Sequence, residues 1–310
     1  MQVNLYDEYL NLLSQGNIPS FLIKYLTVPT LVRLRNICYF CGMDYASKNV
    51  YDFKEKISRY DHSLTVALLT WKFTKDKKAT LAGLFHDIAT PCFSHVIDYM
   101  NKDYKNQEST EEYTDIIIKN DKKLQMYLKE DNILTEDIVN FKKYTIVDNN
   151  RPKLCTDRLD GIILTGIAWT KSIIKKDIVE IVNDLEVYKN EHQESELGFK
   201  TKNIALKALD ASNEIDRFCH TNEDNYMMEL LAEITKKAID NQIFKYDELF
   251  YLDEPTLLDK IRDSKIDELV NLLNKFETIS ISDIPVIVLN DVKVRDLNPL
   301  VNGIRLNDLS

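Results

Sequence analysis

Three of the five histidines in this 310-residue sequence fall between residues 62 and 95. His86 is followed by Asp87, and His95 stands three positions before Asp98. Imidazole nitrogens and carboxylate oxygens together suit a divalent cation such as manganese, magnesium, iron, nickel or zinc, with positions left open for water and a phosphate oxygen. Adjacent side chains near a helix end diverge by roughly 100°, so His86 and Asp87 share one ion only if that helix end opens into a cleft. An antiparallel helical hairpin would bring His62, at the start of the preceding helix, back beside His86. Asp157, in Cys155-Thr156-Asp157-Arg158-Leu159-Asp160, opens a stretch that continues through Ile162 and Ile163, where an unpaired carboxylate is costly to bury and a cation would neutralise it. A lone His-Asp pair is more often an ion pair or a capped helix end, so the weight rests on the set.

The spacing of His95 and Asp98 lets the carboxylate orient the imidazole and raise its basicity, the outline of a catalytic dyad, although many such pairs are plain surface ion pairs. Arg59 lies one turn before His62 and Arg158 follows Asp157, so both guanidinium groups could reach an anion held at the metal.

Positioning these groups requires helices, and the apolar spacing repeats at three and four residues almost throughout. Tyr6, Tyr9, Leu10 and Leu13 mark a first helix that Gly16 stops; a second runs from about Leu31 through Leu34 and Ile37 to Phe40. A third carries Val66, Leu69 and Phe73, and a fourth runs from about Ala79 to Phe85 before Pro91. Ser109 and Glu112 have capping-box spacing ahead of another helix. Two long helices follow, through Ile204 to Phe218 and through Met227 to Ala238. Strand pairs are expected at 185–188 with 197–199, and at 285–289 with 292–294 across Asn290-Asp291. This is an all-α bundle with small β-hairpin additions, the helical domain over 1–275 and a C-terminal hairpin appendage of the same domain over 276–310.

Composition narrows the function classes. Forty basic against fifty acidic side chains give a net charge of −10, which disfavours general binding to nucleic acid or acidic lipid. No apolar run approaches a membrane span, and the N-terminus lacks a basic region followed by an apolar stretch, which predicts a cytoplasmic protein without membrane partners. The five cysteines are scattered and read as reduced thiols. No two of the seven glycines have Gly-x-Gly spacing, and Gly161 and Gly166 are followed by Ile167-Ala168 where a phosphate loop needs Lys-Ser/Thr.

Four segments occur in order: Arg59-Tyr60-Asp61-His62, Gly83-Leu84-Phe85-His86-Asp87, Phe93-Ser94-His95-Val96-Ile97-Asp98 and Thr156-Asp157-Arg158-Leu159-Asp160. Together they resemble the HD-domain phosphohydrolase superfamily, and within it the deoxynucleoside triphosphate triphosphohydrolases of the dGTPase type. Arg33-Leu34-Arg35, Phe250 to Glu254 and Val294 to Val301 extend the resemblance over about residues 25 to 305. It implies an HD-domain helical bundle with His62, His86, Asp87 and Asp157 as metal ligands and His95 with Asp98 as the catalytic pair. Arg59, Arg158, Arg35 and Tyr39 would be substrate-binding, the substrate a deoxynucleoside triphosphate cleaved to deoxynucleoside and triphosphate, and the protein a homo-oligomer. Alternatives are a nucleoside monophosphatase or phosphodiesterase at the same centre, or a nucleotide-binding regulatory protein with a vestigial site. The chain departs from the pattern at Thr90 and Asn106, where relatives carry further histidines. It departs again at Tyr39 and Gly161, where relatives carry a base-reading glutamine and a sugar-stacking tyrosine.

Overall fold

The computed structural model describes residues 4–105, 113–289 and 292–309. Asn106, the Ser109–Glu112 spacing and the Asn290-Asp291 turn lie outside the described residues.

Helix α1 (Leu5–Ser14) starts where the Asn4 side chain accepts the Asp7 N–H, buries Tyr9 and Leu13, and ends before Gly16, whose φ of 80° suits a residue without Cβ. Two short helices follow, α2 (Ser20–Ile23) and α3 (Pro29–Arg33). The helix expected to reach Phe40 stops earlier: after one 3-10 turn at Leu34–Asn36 the chain becomes extended, and Cys38 bridges Ser58. The reason is a stronger set of partners for the backbone. Arg59 N–H goes to Ile37 O, Tyr39 N–H to Ile57 O, and Cys38 N–H to the buried carboxylate of Glu254.

At the centre stand α4 (Arg59–Thr74) and α5 (Lys77–Phe85). Ser58 and Asp61 form a reciprocal capping box at the start of α4, which fixes where Arg59 and His62 emerge. Helix α4 is buried almost all round from Arg59 to Thr70, as expected of a central helix with little amphipathic character. It ends at Lys75 in the left-handed conformation, and Asp76 at once caps α5 by accepting from Lys78 and Ala79. This two-residue turn makes the helices antiparallel, and Gly83 lets them close up: a Cβ there would lie 3.2 Å from Thr70 Oγ1. Short helices α6 (Val96–Met100), α7 (Thr114–Asn120), α8 (Lys122–Glu130) and α9 (Thr135–Val139) follow, with α9 against α5.

Helix α10 (Thr156–Ala168) packs on α4, where Thr156 Oγ1 meets Thr70 Oγ1 at 2.9 Å. It is followed by α11 (Lys175–Asp184), then the long α12 (Lys202–Cys219) and α13 (Asn222–Asp240), and finally α14 (Glu254–Asp263) and α15 (Asp267–Thr278).

Strands β1 (Leu185–Lys189) and β2 (Ser195–Phe199) pair antiparallel as expected, Leu185 opposite Phe199. The second hairpin lies elsewhere than predicted. Residues 284–289 are irregular, with Val286 and Val288 exposed, because the Asn222 side chain takes the Pro285 carbonyl and the Ile287 N–H instead of a partner strand. The paired strands are β3 (Leu300–Val301) and β4 (Ile304–Arg305), turned by Asn302-Gly303 at positive φ. Strand β3 joins β2 in parallel, giving one sheet in the order β1-β2-β3-β4. Among the described residues no helix is long and apolar enough to cross a membrane.

Candidate metal centre

The end of α5 and the starts of α4 and α10 meet in one cleft of about 370 Å3, within the size range of small-molecule sites. His62 sits one turn into α4, His86 follows the last residue of α5, and Asp157 is the second residue of α10. His62 Nε2 lies 3.0 Å from Asp157 Oδ1 and 3.9 Å from Asp87 Oδ2; His86 Nε2 lies 3.4 Å from Asp157 Oδ1 and 3.6 Å from Asp87 Oδ1. Donors bound about 2.1 Å from a common ion stand about 3.0 Å apart at right angles and about 3.4 Å apart at tetrahedral angles. His62, His86 and Asp87 each offer a ligand atom within 4.8 Å of the others, a group that could hold a divalent cation, and Asp157 lies beside both imidazoles.

Both imidazoles are fixed through their other nitrogen. His62 Nδ1 meets Asp160 Oδ2 at 2.7 Å, and His86 Nδ1 meets the Gly83 carbonyl at 2.8 Å, which leaves each Nε2 facing the shared centre. Asp160 is fully buried and also accepts from the Tyr9 hydroxyl at 2.7 Å and the Thr65 hydroxyl at 2.9 Å. The sequence reading left Asp160 without a role; the signal was its position three residues after Asp157, one turn along the same face of the helix.

The electrostatics call for positive charge. Burial opposes ionisation of both histidines, yet the carboxylates prevail: His62 is raised by Asp157 and Asp160, and His86 is pushed up to about 10 by Asp87 and Asp157. Burial likewise opposes the Asp87 carboxylate, but His86, Arg59 and His62 hold it down at about 2. A bound divalent ion would supply the same compensation with the imidazoles neutral.

Arg59 Nη1 lies 2.8 Å from Asp87 Oδ2, and its buried Nε has no partner among the described residues. His95 and Asp98 are paired, Nδ1 to Oδ2 at 2.9 Å, with Asp98 fully buried. His95 precedes α6 rather than lying within it, aimed by Phe93 and Ser94, both in the left-handed region at φ 65° and 48°. Burial lowers the His95 pKa, Asp98 raises it, and Arg59 and Lys293 lower it again, so the imidazole is neutral at physiological pH. Tyr39 lies in the cleft with its ring 4.9 Å from that of His62 and 5.0 Å from the Arg59 guanidinium carbon. Its hydroxyl fills the space over Gly161, where a Cβ would stand only 2.8 Å away.

Two expected anion-binding arginines behave differently. Arg35 is exposed in the 3-10 turn after α3, stacked on Tyr60 at 4.3 Å, and lines a separate pocket rather than the cleft, because the chain turns extended just after it. Arg158 lines the cleft, but its guanidinium is used by its own loop: it donates to Asn149 Oδ1 and O at 2.8 Å and to the Lys153 carbonyl. Three cations of the wall had no assigned role from sequence: Arg151, Lys293 and Arg295. Burial and the charges of Arg158 and Arg295 push Arg151 down to about 10. Asp148 also faces the cleft and forms a second donor group with Cys155 and Asp157. Thr90, where relatives carry histidine, is fully buried with its hydroxyl unpartnered among the described residues.

Residues 59–154 match the HD domain family, a segment that holds His62, His86, Asp87, His95 and Asp98, with Asp157 just beyond it. The chain is 28% identical over 108 residues to the uncharacterized protein YdhJ of Bacillus subtilis (strain 168), a match spanning 34% of this chain and only 33% of that protein. The fold resembles a hypothetical protein from Aquifex aeolicus at a TM-score of 0.60, with 17% identity over 84% of this chain and 71% of that one. It also resembles a phosphohydrolase from Bacteroides thetaiotaomicron VPI-5482 at 0.52, with 16% identity over 84% and 74%.

Proposed function

We propose that this protein is a metal-dependent phosphohydrolase acting on nucleotides, and that its substrate is a deoxynucleoside triphosphate cleaved to deoxynucleoside and triphosphate. The observation that carries the reading is the gathering of His62 and His86 with Asp87 and Asp157, at imidazole-to-carboxylate distances of 3.0 to 3.9 Å, in a cleft that also presents Arg59 and His95. The phosphohydrolase from Bacteroides that shares the fold supports the reaction class. The cation held by those four residues would polarise the phosphate and acidify bound water.

The remaining steps belong to side chains. Asp98 accepts the Nδ1 proton of His95 and keeps Nε2 as the free base facing the cleft, where it relays a proton between water and the departing 5′ oxygen. Arg59 has donors to spare beyond Asp87 and meets charge developing on the phosphate oxygens. Arg151 adds positive charge to the same wall, where an anion would relieve the repulsion it feels from Arg158 and Arg295.

The test is a screen of purified protein against common nucleotides with manganese, magnesium, iron, nickel and zinc, with products identified by mass. Intact triphosphate is expected. Release of orthophosphate alone would favour the monophosphatase, a diester-specific product the phosphodiesterase, and binding without turnover under every metal the vestigial reading. Asp87→Asn should lower metal content and turnover together, by more than the roughly 10–100-fold that loss of an outer-sphere partner costs. Full activity in that variant contradicts the assignment.

A further inference from the structure

The cleft continues past Arg59 into an aromatic end that the phosphate chemistry does not use. Phe40, Phe53 and Tyr51 stand as three nearly parallel rings: Phe40 and Phe53 are 4.6 Å apart, Phe53 and Tyr51 are 5.4 Å apart, and each pair is tilted by 12°. Trp169 crosses them at 6.0 to 6.2 Å. Phe53 and Trp169 are only partly buried and face the cavity. Phe40 and Tyr51 cover the two faces of Phe53, so the wall offers an incoming planar ring a rigid apolar surface of ring edges and the Trp169 indole at little entropic cost.

One carboxylate and one guanidinium, those of Asp224 and Arg295, stand at this end. Asp224 is the third residue of α13; its Oδ1 accepts the Tyr51 hydroxyl at 2.7 Å, which fixes the carboxylate against the aromatic wall. Arg295 influences Asp224 electrostatically, yet no ion pair within 4 Å joins them among the described residues. Burial pushes the Asp224 carboxyl up to about 6, against the Tyr51 hydrogen bond and the charges of Arg295 and His220. At neutral pH it is therefore a poorly solvated acceptor that gains from an incoming N–H donor. Cys41 places this end beside the catalytic arginine, since the charges acting on its thiol include those of Arg59, Asp224 and Arg295.

We infer that Asp224 is a specificity-determining residue that accepts an N–H from the edge of the substrate's base, with Arg295 donating to the neighbouring acceptor and the base lying along the aromatic wall of Phe53 and Trp169. The inference rests on the nucleotide reading of the same cleft. Adenine, cytosine and guanine each present an amino group beside a ring nitrogen or carbonyl, a donor and an acceptor side by side. Thymine presents an N–H between two carbonyl oxygens, whose lone pairs face the Asp224 carboxylate. Thymine can also give its N3–H to Asp224 with one carbonyl toward Arg295, so amino-bearing bases are favoured through the second carbonyl that thymine sets against the carboxylate. A hydrogen bond to a charged group contributes about 1.5–3 kcal/mol, so removing the Asp224 carboxylate should cost the favoured base about 10–100-fold.

The experiment compares dATP, dCTP, dGTP and dTTP on the metal-loaded wild type, Asp224→Asn and Asp224→Ala, by kcat/KM where there is turnover and by calorimetric binding where there is none. The wild type is expected to favour at least one amino-bearing base over thymine by about 10-fold or more. Alanine should erase that margin. Asparagine, nearly isosteric and able to donate to a thymine carbonyl, should narrow or reverse it, and it keeps the test sound if the alanine variant unfolds. Hydrolysis with the same base ranking in all three proteins overturns the role of Asp224 and leaves the phosphohydrolase reading standing. Failure of the wild type to bind or cleave any of the four overturns both.

Discussion

A histidine that would give one ring nitrogen to a metal has its other nitrogen to satisfy, and the two histidines of this candidate centre solve that differently. His86 uses a backbone carbonyl one turn back, whereas His62 uses Asp160, a buried carboxylate that Tyr9 and Thr65 hold in place. A charged outer partner raises the basicity of the imidazole it orients and fixes its tautomer. Asp160→Asn retains the shape and loses the charge, so metal affinity should fall roughly 10–100-fold. Competition with a chelating dye measures this; unchanged affinity would remove Asp160 from the metal centre. At the same scale, Tyr39 and Gly161 form one unit, since the tyrosine hydroxyl occupies the volume that any side chain at 161 would need.

The element that aims His95 is held from a distance. Glu254, the first residue of α14, is fully buried and accepts from Phe93 N–H at 2.8 Å and Cys38 N–H at 3.0 Å, joining the turn before His95 to the extended strip that carries Tyr39. Arg33 adds bonds to the Thr90 and Leu252 carbonyls. Burial raises the Glu254 carboxyl from 4.5 to about 7, so the folded chain keeps a proton that the unfolded chain has released. The contribution is fully present below about 4.5 and declines as pH rises to about 7, by about 3 kcal/mol at most. Denaturant titrations from pH 4 to 8 should show this decline in the wild type. In Glu254→Gln that part of the slope should be missing, and a variant with the wild-type slope would assign it to other groups.

Across the whole molecule, the C-terminal segment closes the structure by pairing with a hairpin more than a hundred residues earlier. Strand β3 adds to β2, and Arg305 from β4 binds the fully buried carboxylate of Glu196, with Nη2 to Oε2 at 2.7 Å. Glu196 also accepts the Leu154 N–H, three residues before Asp157, so the tail is coupled to the loop that leads into the metal centre. Removing the guanidinium leaves a buried carboxylate without its cation, which costs about 3–5 kcal/mol. Arg305→Ala should lose that much in urea unfolding and show faster amide exchange in the C-terminal strands. A loss below about 0.5 kcal/mol would mean that the sheet pairing alone holds the tail.

The sequence by itself determined the donor types and the elements that carry them. Local signals sufficed for α4 and α5, where the apolar spacing follows His62 and Pro91 follows the end of α5, whereas the stretch after Asp157 read only as apolar and its helix, like the Ser58 and Asp61 cap, is a finding of the structure. Where local preference met a long-range partner, the partner prevailed. Glu254 drew residues 37–39 out of a helix, Asn222 took the hydrogen bonds of the expected strand at 285–287, and Arg158 turned to Asn149. Only the tertiary structure decided which cations face the cleft, that Asp160 backs His62, and that an aromatic wall with Asp224 extends the site. Those arrangements depend on side-chain directions set by packing between segments dozens to hundreds of residues apart, which residue types and spacing do not encode.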